Sequence, residues 1–146
     1  MMDEKLTMKI ALEPGAYMPE RAHPTDAGLD LRTPRRFVLH TDDGMTIDTG
    51  VHIELPKGYF GKIESKSGLN VNYSIVSCGG VIDEGYTGSI RVKLYNLGYK
   101  PYIFQAGDKI AQLIIQPYAT PKMYLVGRDA LEETDRGDAG FGSTGK

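Results

Sequence analysis

The chain has 146 residues, enough to bury one core but too few for two full domains. Its 18 glycines, 8 prolines and 9 tyrosines, with no tryptophan, are the mix expected where short strands meet in tight turns, so an all-β or nearly all-β fold follows. A formal charge of -2 supplies no net positive field for a nucleic-acid backbone, so no stable nucleic-acid binding is expected.

No apolar run approaches the roughly eighteen residues that cross a bilayer. Residues 1–9 carry charges where a signal peptide needs an apolar centre, so neither membrane nor export is expected and the reading is cytoplasmic. Cys78 is the single cysteine, which excludes an intramolecular disulfide and suits a reducing compartment. Its expected state is that of a small buried apolar residue. His23, His40 and His52 are scattered, which argues against a histidine-built zinc site.

In chain order, apolar and polar residues alternate over 8–12, 50–55, 59–64 and 89–96, the period of a half-buried strand. In the last, Ile90, Val92 and Leu94 face one way while Arg91, Lys93 and Tyr95 face the other. The run 110–115 is denser and suits a strand buried on both faces. The spacing predicts one short helix opening at Ser67 and Gly68 and running through Leu69 and Val71, with Ser67 as its cap. From residue 132 only Ala139 and Phe141 are apolar and four glycines remove local stiffness. The division expected is therefore a β domain over 1–131 and a flexible glycine-rich arm over 132–146.

Five strings carry chemistry, and each also has a plain structural reading. In 26–31, small residues turn the backbone before the carboxylate of Asp30 enters a strand. Such an acid can anchor a hydrated magnesium, or the string is a loop-to-strand junction. In 65–69, helix-start amides, the Ser67 hydroxyl and the Lys66 ammonium can form an anion site, or merely a capped helix. In 80–88, two apolar strand ends flank an acidic turn, which geometry alone explains as a β-hairpin. In 107–113, Gln112 lies among apolar neighbours and needs a partner, inside the protein or on a ligand. The fifth string, 136–146, joins Arg136, Phe141, Ser143 and Thr144 to flexible glycines. Residues 140–146 imitate a phosphate-binding P-loop, but no Ser or Thr and no helix follow Lys146, so a P-loop NTPase is excluded. Glycine amides and hydroxyls can still wrap phosphates.

Taken together, in this order and spacing, the five strings resemble those of the trimeric dUTPases over residues 26–146. The strings at 80–88 and 136–145 are the most specific. The resemblance implies a β-barrel or distorted jelly roll with one short helix and a C-terminal arm. It also implies a homotrimer that hydrolyses dUTP to dUMP and pyrophosphate with Mg²⁺. Asp83 matches the family's general base, which deprotonates the water attacking the α-phosphorus. Tyr86 would lie against the deoxyribose and exclude a 2′-hydroxyl. The hairpin over 77–81 (Ser77, Cys78, Gly79, Gly80, Val81) would read uracil through its backbone and exclude a 5-methyl group.

By the same resemblance Lys66, Ser67, Gly68 and Gln112 bind phosphate, and Asp30 holds the metal through water. Arg136 contacts the outer phosphates, Phe141 stacks on uracil, Gly142 belongs to the substrate-binding set, and Ser143 and Thr144 bond phosphate oxygens. Three departures stand out. Lys66 replaces a common arginine, so two-pronged binding becomes a point charge. Gly85 replaces a common acid, and Lys146 ends the chain sooner than in some relatives. The related dCTP deaminases place a catalytic glutamate three residues before an asparagine; counting back from Asn96, this chain has Lys93. A binding module that signals through the nucleotide to a regulatory protein partner is compatible with the same strings.

Overall fold

The structure is a computed structural model that describes residues 5–143 and 145. Among them the order is β1 (Lys9–Leu12), β2 (Gly28–Arg32), β3 (Phe37–Leu39), β4 (Gly44–Asp48), β5 (Val51–Glu54), β6 (Tyr59–Glu64), α1 (Ser67–Tyr73), β7 (Ile75–Ser77), β8 (Val81–Ile82), β9 (Arg91–Asn96), β10 (Tyr102–Phe104), β11 (Lys109–Pro117) and a 3₁₀ turn at Arg128–Ala130. The all-β expectation holds, with one α-helix among the described residues.

Every ladder is antiparallel, in four open sheets of jelly-roll-like arrangement: β2-β11-β6-β8, β4-β9-β7, β1-β5 and β10-β3. β11 is central in the first sheet, and its apolar run is explained by that place. Ile110, Ala111 and Leu113 are buried, and the backbone is paired along both edges. β9 is central in the second sheet. Val92 and Leu94 point inward while Arg91 and Tyr95 are exposed, as alternation requires.

One core joins these layers. Leu31, Leu39, Ile47, Val51, Ile90, Val92, Phe104 and Leu113 are fully enclosed, and Phe37 stacks on Phe104 with centroids 4.7 Å apart. Each such side chain contributes about 1.5–3 kcal/mol by leaving water. Asn96 is buried with them because all its polar atoms are paired. Its Nδ2 donates to the carbonyls of Leu39 (3.0 Å) and Lys100 (2.8 Å), and its Oδ1 accepts the Gly98 amide at 2.9 Å.

Two local expectations are corrected. The apolar arms flanking residues 83–88 do not pair as a hairpin, because β8 joins β6 while β9 joins β4 and β7. Nor do residues 77–81 form one: β7 and β8 lie in different sheets, and 78–80 is the crossing between them. Both segments cross between layers, a long-range choice that local turn chemistry does not encode. The last strand ends at Pro117, and 119–139 is exposed throughout.

Asn96→Ala would strand two carbonyls and an amide in the core and should cost roughly 2–4 kcal/mol. Urea unfolding checks this, and a loss under about 0.5 kcal/mol would show that the network contributes little.

Candidate functional site

On the first sheet Asp30 of β2 stands opposite Gln112 of β11, which in turn faces Glu64 of β6. Asp30 is only 4% exposed, and each of its oxygens has an ammonium partner, Lys66 Nζ at 2.5 Å and Lys109 Nζ at 2.8 Å. Burial by itself pushes the carboxyl up, but the hydrogen bonds and charges of Lys109 and Lys66 outweigh it and hold the group below the usual carboxylate range. Asp30 is thus first the counter-ion of two lysines.

Lys66, not Ser67, takes the N-cap position of α1. Its φ of -78° and ψ of 126° are extended, and no side chain caps the first-turn amides. Ser67 is already helical, so its hydroxyl is not placed to cap, and both Ser67 and Gly68 are exposed. Gln112 has found an internal partner, donating through Nε2 to the Ser65 carbonyl at 2.9 Å. Gly28 is required beside it, because a Cβ there would run into the Gln112 carboxamide. The Ser65 hydroxyl accepts the Ser77 amide at 2.8 Å, so Ser65 joins the helix start, Gln112 and the 78–80 crossing.

The third string surrounds a second place. A hollow of about 240 Å³ is lined by Ile63, Gly80, Val81, Ile82, Asp83, Tyr86, Ser89 and Arg91. Asp83 is exposed and, among the described residues, its carboxylate accepts no hydrogen bond. Its carbonyl accepts the Tyr86 amide at 2.9 Å, closing the turn. The Tyr86 hydroxyl donates to the Ser89 carbonyl at 2.9 Å, and the ring lies over Gly88, where a Cβ would come within 2.6 Å of Cζ.

Cys78 is exposed rather than buried. The short crossing between sheets leaves its side chain outside while its amide bonds the Lys93 carbonyl at 3.1 Å. Ser77 is half-buried, and its hydroxyl donates to the Gly79 carbonyl at 3.3 Å. A larger hollow of about 530 Å³, between residues 6–10, residues 18–21 and Ile115, is mainly apolar and contains none of the proposed nucleotide-binding residues.

The arm forms a third group. Among the described residues, every hydrogen bond made from residue 119 onward stays within that stretch. Arg136 Nε donates to the Ala139 carbonyl at 2.9 Å, Arg128 pairs with Asp138 at 2.7 Å, and Phe141 is fully exposed beside Gly142 with φ of +83°. Ser143 is exposed; Thr144 lies outside the described residues.

Within one chain the expected site residues therefore fall into three groups. Val81 and Ile82 pair with Lys62 and Gly61, so the strand enters Asp83 heading away from Glu64, whereas Lys66 and Gln112 lie at the Glu64 end of β6.

The dUTPase family profile matches residues 15–145. The chain belongs to the dUTPase family. It is 38% identical over 142 residues to the deoxyuridine 5′-triphosphate nucleotidohydrolase of Anaplasma marginale, covering 94% of this chain and 95% of that one. Among solved structures it is similar to the dUTPase of Staphylococcus bacteriophage 80alpha with dUPNHPP. That match has a TM-score of 0.86 and 32% identity and covers 96% of this chain and 99% of the phage chain. A mutant dUTPase from phage phi11 of S. aureus, whose structure reveals the coordination of a structural Mg(II) ion, matches with a TM-score of 0.78 and 31% identity over 83% of this chain and 97% of that one.

Sequence reasoning did not single out Ser65, which bonds the Ser77 amide, Lys109, which pairs with Asp30, or Ser89 and Arg91, which line the hollow beside Asp83. Lys109 and Ser65 sit inside quoted strings, but their partners are remote in sequence. Among the described residues no three His, Cys, Asp or Glu side chains converge as a metal cluster. The donor set fits a largely hydrated magnesium held by phosphate oxygens rather than a protein cage.

Because the Asp30 carboxyl is held low, its ion pairs contribute stability above the ordinary carboxylate pKa and lose it as pH falls through the lowered value. Asp30→Asn should cost roughly 1–3 kcal/mol at neutral pH, discounted because both lysines reach solvent. The variant should also show a flatter acid-side profile. Urea unfolding at neutral and acid pH checks both, and equal stability of the two proteins at neutral pH would refute it.

Proposed function

We propose that the protein hydrolyses dUTP to dUMP and pyrophosphate as a cytoplasmic homotrimer with magnesium, limiting uracil in DNA and supplying dUMP for thymidylate synthesis. The observation that carries this reading is the exposed, unpaired carboxylate of Asp83 on the same hollow as Tyr86 and the 80–81 backbone. Asp83 takes a proton from a water, whose oxygen attacks the α-phosphorus, and the bond to the bridging oxygen breaks with pyrophosphate leaving. Tyr86 packs on the deoxyribose, and Ser77, Cys78, Gly79, Gly80 and Val81 read uracil.

Lys66, Ser67, Gly68 and Gln112 bind phosphate oxygens, with uncapped helix amides favouring the anion. The chemistry magnesium would supply when bound is neutralisation of charge on the leaving group; for Asp30 to hold its water shell, as the family resemblance implies, the water would compete with Lys66 and Lys109 for the carboxylate oxygens. Arg136, Phe141, Gly142, Ser143 and Thr144 close over the nucleotide and exclude water.

The separation of the three groups within one chain supports assembly, since a second copy can bring Asp83 to the phosphate residues. So do Met123, Tyr124 and Leu125, which are almost fully exposed in a single chain. Trimer formation places the arm on a neighbour.

Pyrophosphate release is expected from dUTP and far less from dTTP, dCTP or UTP. Comparable turnover of UTP would remove Tyr86 from its role, and ammonia release from dCTP without prior pyrophosphate release would make the protein a deaminase. Asp83→Asn should lower the rate roughly a hundred- to ten-thousand-fold with nucleotide binding retained; near-normal turnover would refute the base.

Deleting the chain from Arg136 should leave assembly intact and activity mostly abolished. Co-refolding that truncation with Asp83→Asn at equal ratio should restore about a quarter of sites if the arm acts on a neighbour. No recovery in verified mixed trimers would mean that the arm serves its own subunit.

A further inference from the structure

The loop between β8 and β9 carries both Asp83 and Tyr86, and contacts from three other segments hold it. The Gly58 amide donates to the Glu84 carboxylate, the Asp48 carboxylate accepts the Ser89 hydroxyl, and the His52 ring meets the Thr87 carbonyl. The third contact differs in kind. His52 Nδ1 lies 2.7 Å from the Thr87 carbonyl oxygen, and Nε2 lies 2.9 Å from Glu13 Oε1. A carbonyl and an ionised carboxylate only accept, so both bonds coexist only when both ring nitrogens carry protons. The imidazolium therefore bridges the turn after β1 to the loop of the proposed base. β5 supplies the ring; its pairing with β1 sets Ala11 opposite His52 and brings Glu13, two residues further on, diagonally to the same face.

We infer that His52 is a positioning residue for the reaction: with both nitrogens donating, it clamps the Thr87 carbonyl against Glu13 and so fixes the loop that presents Asp83 and Tyr86 to the nucleotide. This rests on the dUTP reading above for the meaning of the loop, although the clamp itself is observable without substrate. The charged groups facing the ring are Glu13 from the turn after β1 and Asp48 from β4, with Arg91 of β9 beyond Asp48 at 4.0 Å. Thr87 and Ser89 from the loop are neutral. The Thr87 carbonyl first, and then the Glu13 carboxylate, hold the ring's pKa above its ordinary 6.5. The clamp is complete below that ordinary value and is lost as pH rises through the raised one, because neutral imidazole keeps a single N–H. Half of the bridge then lacks a donor.

The test uses the full-length protein as it assembles. Amide-exchange protection of residues 84–88, corrected for intrinsic exchange, is measured from mildly acid to alkaline pH while NMR follows the His52 ring. In the parent protein, protection should fall roughly three- to tenfold as the ring loses its proton. In His52→Ala it should be low at every pH. Glu13→Gln removes the carboxylate without touching the ring and should move the step to lower pH.

With nucleotides, His52→Ala should lose its preference for dUTP over UTP by a similar factor, because loosening the loop frees Tyr86. General destabilisation would not change that ratio. Parent-like protection of 84–88 in folded His52→Ala, or a pH step that survives there, overturns the clamp. If exchange follows the ring but dUTP is not hydrolysed, the clamp stands and the substrate reading fails.

Discussion

Strand β11 is hydrogen-bonded along both edges, and this double pairing fixes where the chemistry can stand. β2 on one side brings Asp30; β6 on the other ends at Glu64, from which Ser65 and Lys66 lead into α1; and β8, added beyond β6, delivers Asp83. The first four strings are thus tied to one twisted sheet, although far apart in sequence. A one-residue slip of β11 would turn Ala111 and Leu113 to the opposite face and move Gln112 away from both Asp30 and the Ser65 carbonyl. Packing and function are therefore enforced by the same register.

The charges are arranged locally, against a nearly neutral whole. Asp30 between Lys66 and Lys109 leaves one surplus positive charge at the start of α1, beside amides that lack a capping side chain. This is a small local positive field on a protein that is not basic overall, and the proposed phosphate site uses it. On the other side of the fold, Glu13, His52 and Asp48 form a second ionic cluster against the 87–89 end of the loop. The loop that carries Asp83, the proposed base, is held by groups outside it.

Alternation revealed β1, β5, β6 and β9, and a dense apolar run revealed β11; β2 and β4, of five residues each, show no such alternation, because β2 is buried at four successive positions and β4 encloses only Ile47. β3, β7, β8 and β10 have two or three residues, too few for a period to register, and their partners are set only in three dimensions. The same reason hides the site's supports. Asp30 and Lys109, or His52 and Thr87, are separated by dozens of residues, and nothing local in either partner signals the other. The Ser67 cap failed because the helix starts one residue early, and Cys78 surfaced because a crossing between sheets has no inward face. The short strings were enough to read the family, whereas the residues that brace those strings in three dimensions were not legible.

The exposure of Cys78 has a practical side. A chain with one sulfhydryl, and that one outside the core, accepts a single dye or spin label at a known atom without competing attachment points. Because the 78–80 crossing is bonded through its backbone to β9, a reporter there would be anchored to the scaffold while its head group samples the surroundings of the neighbouring hollow. The molecule thus contains its own spectroscopic address.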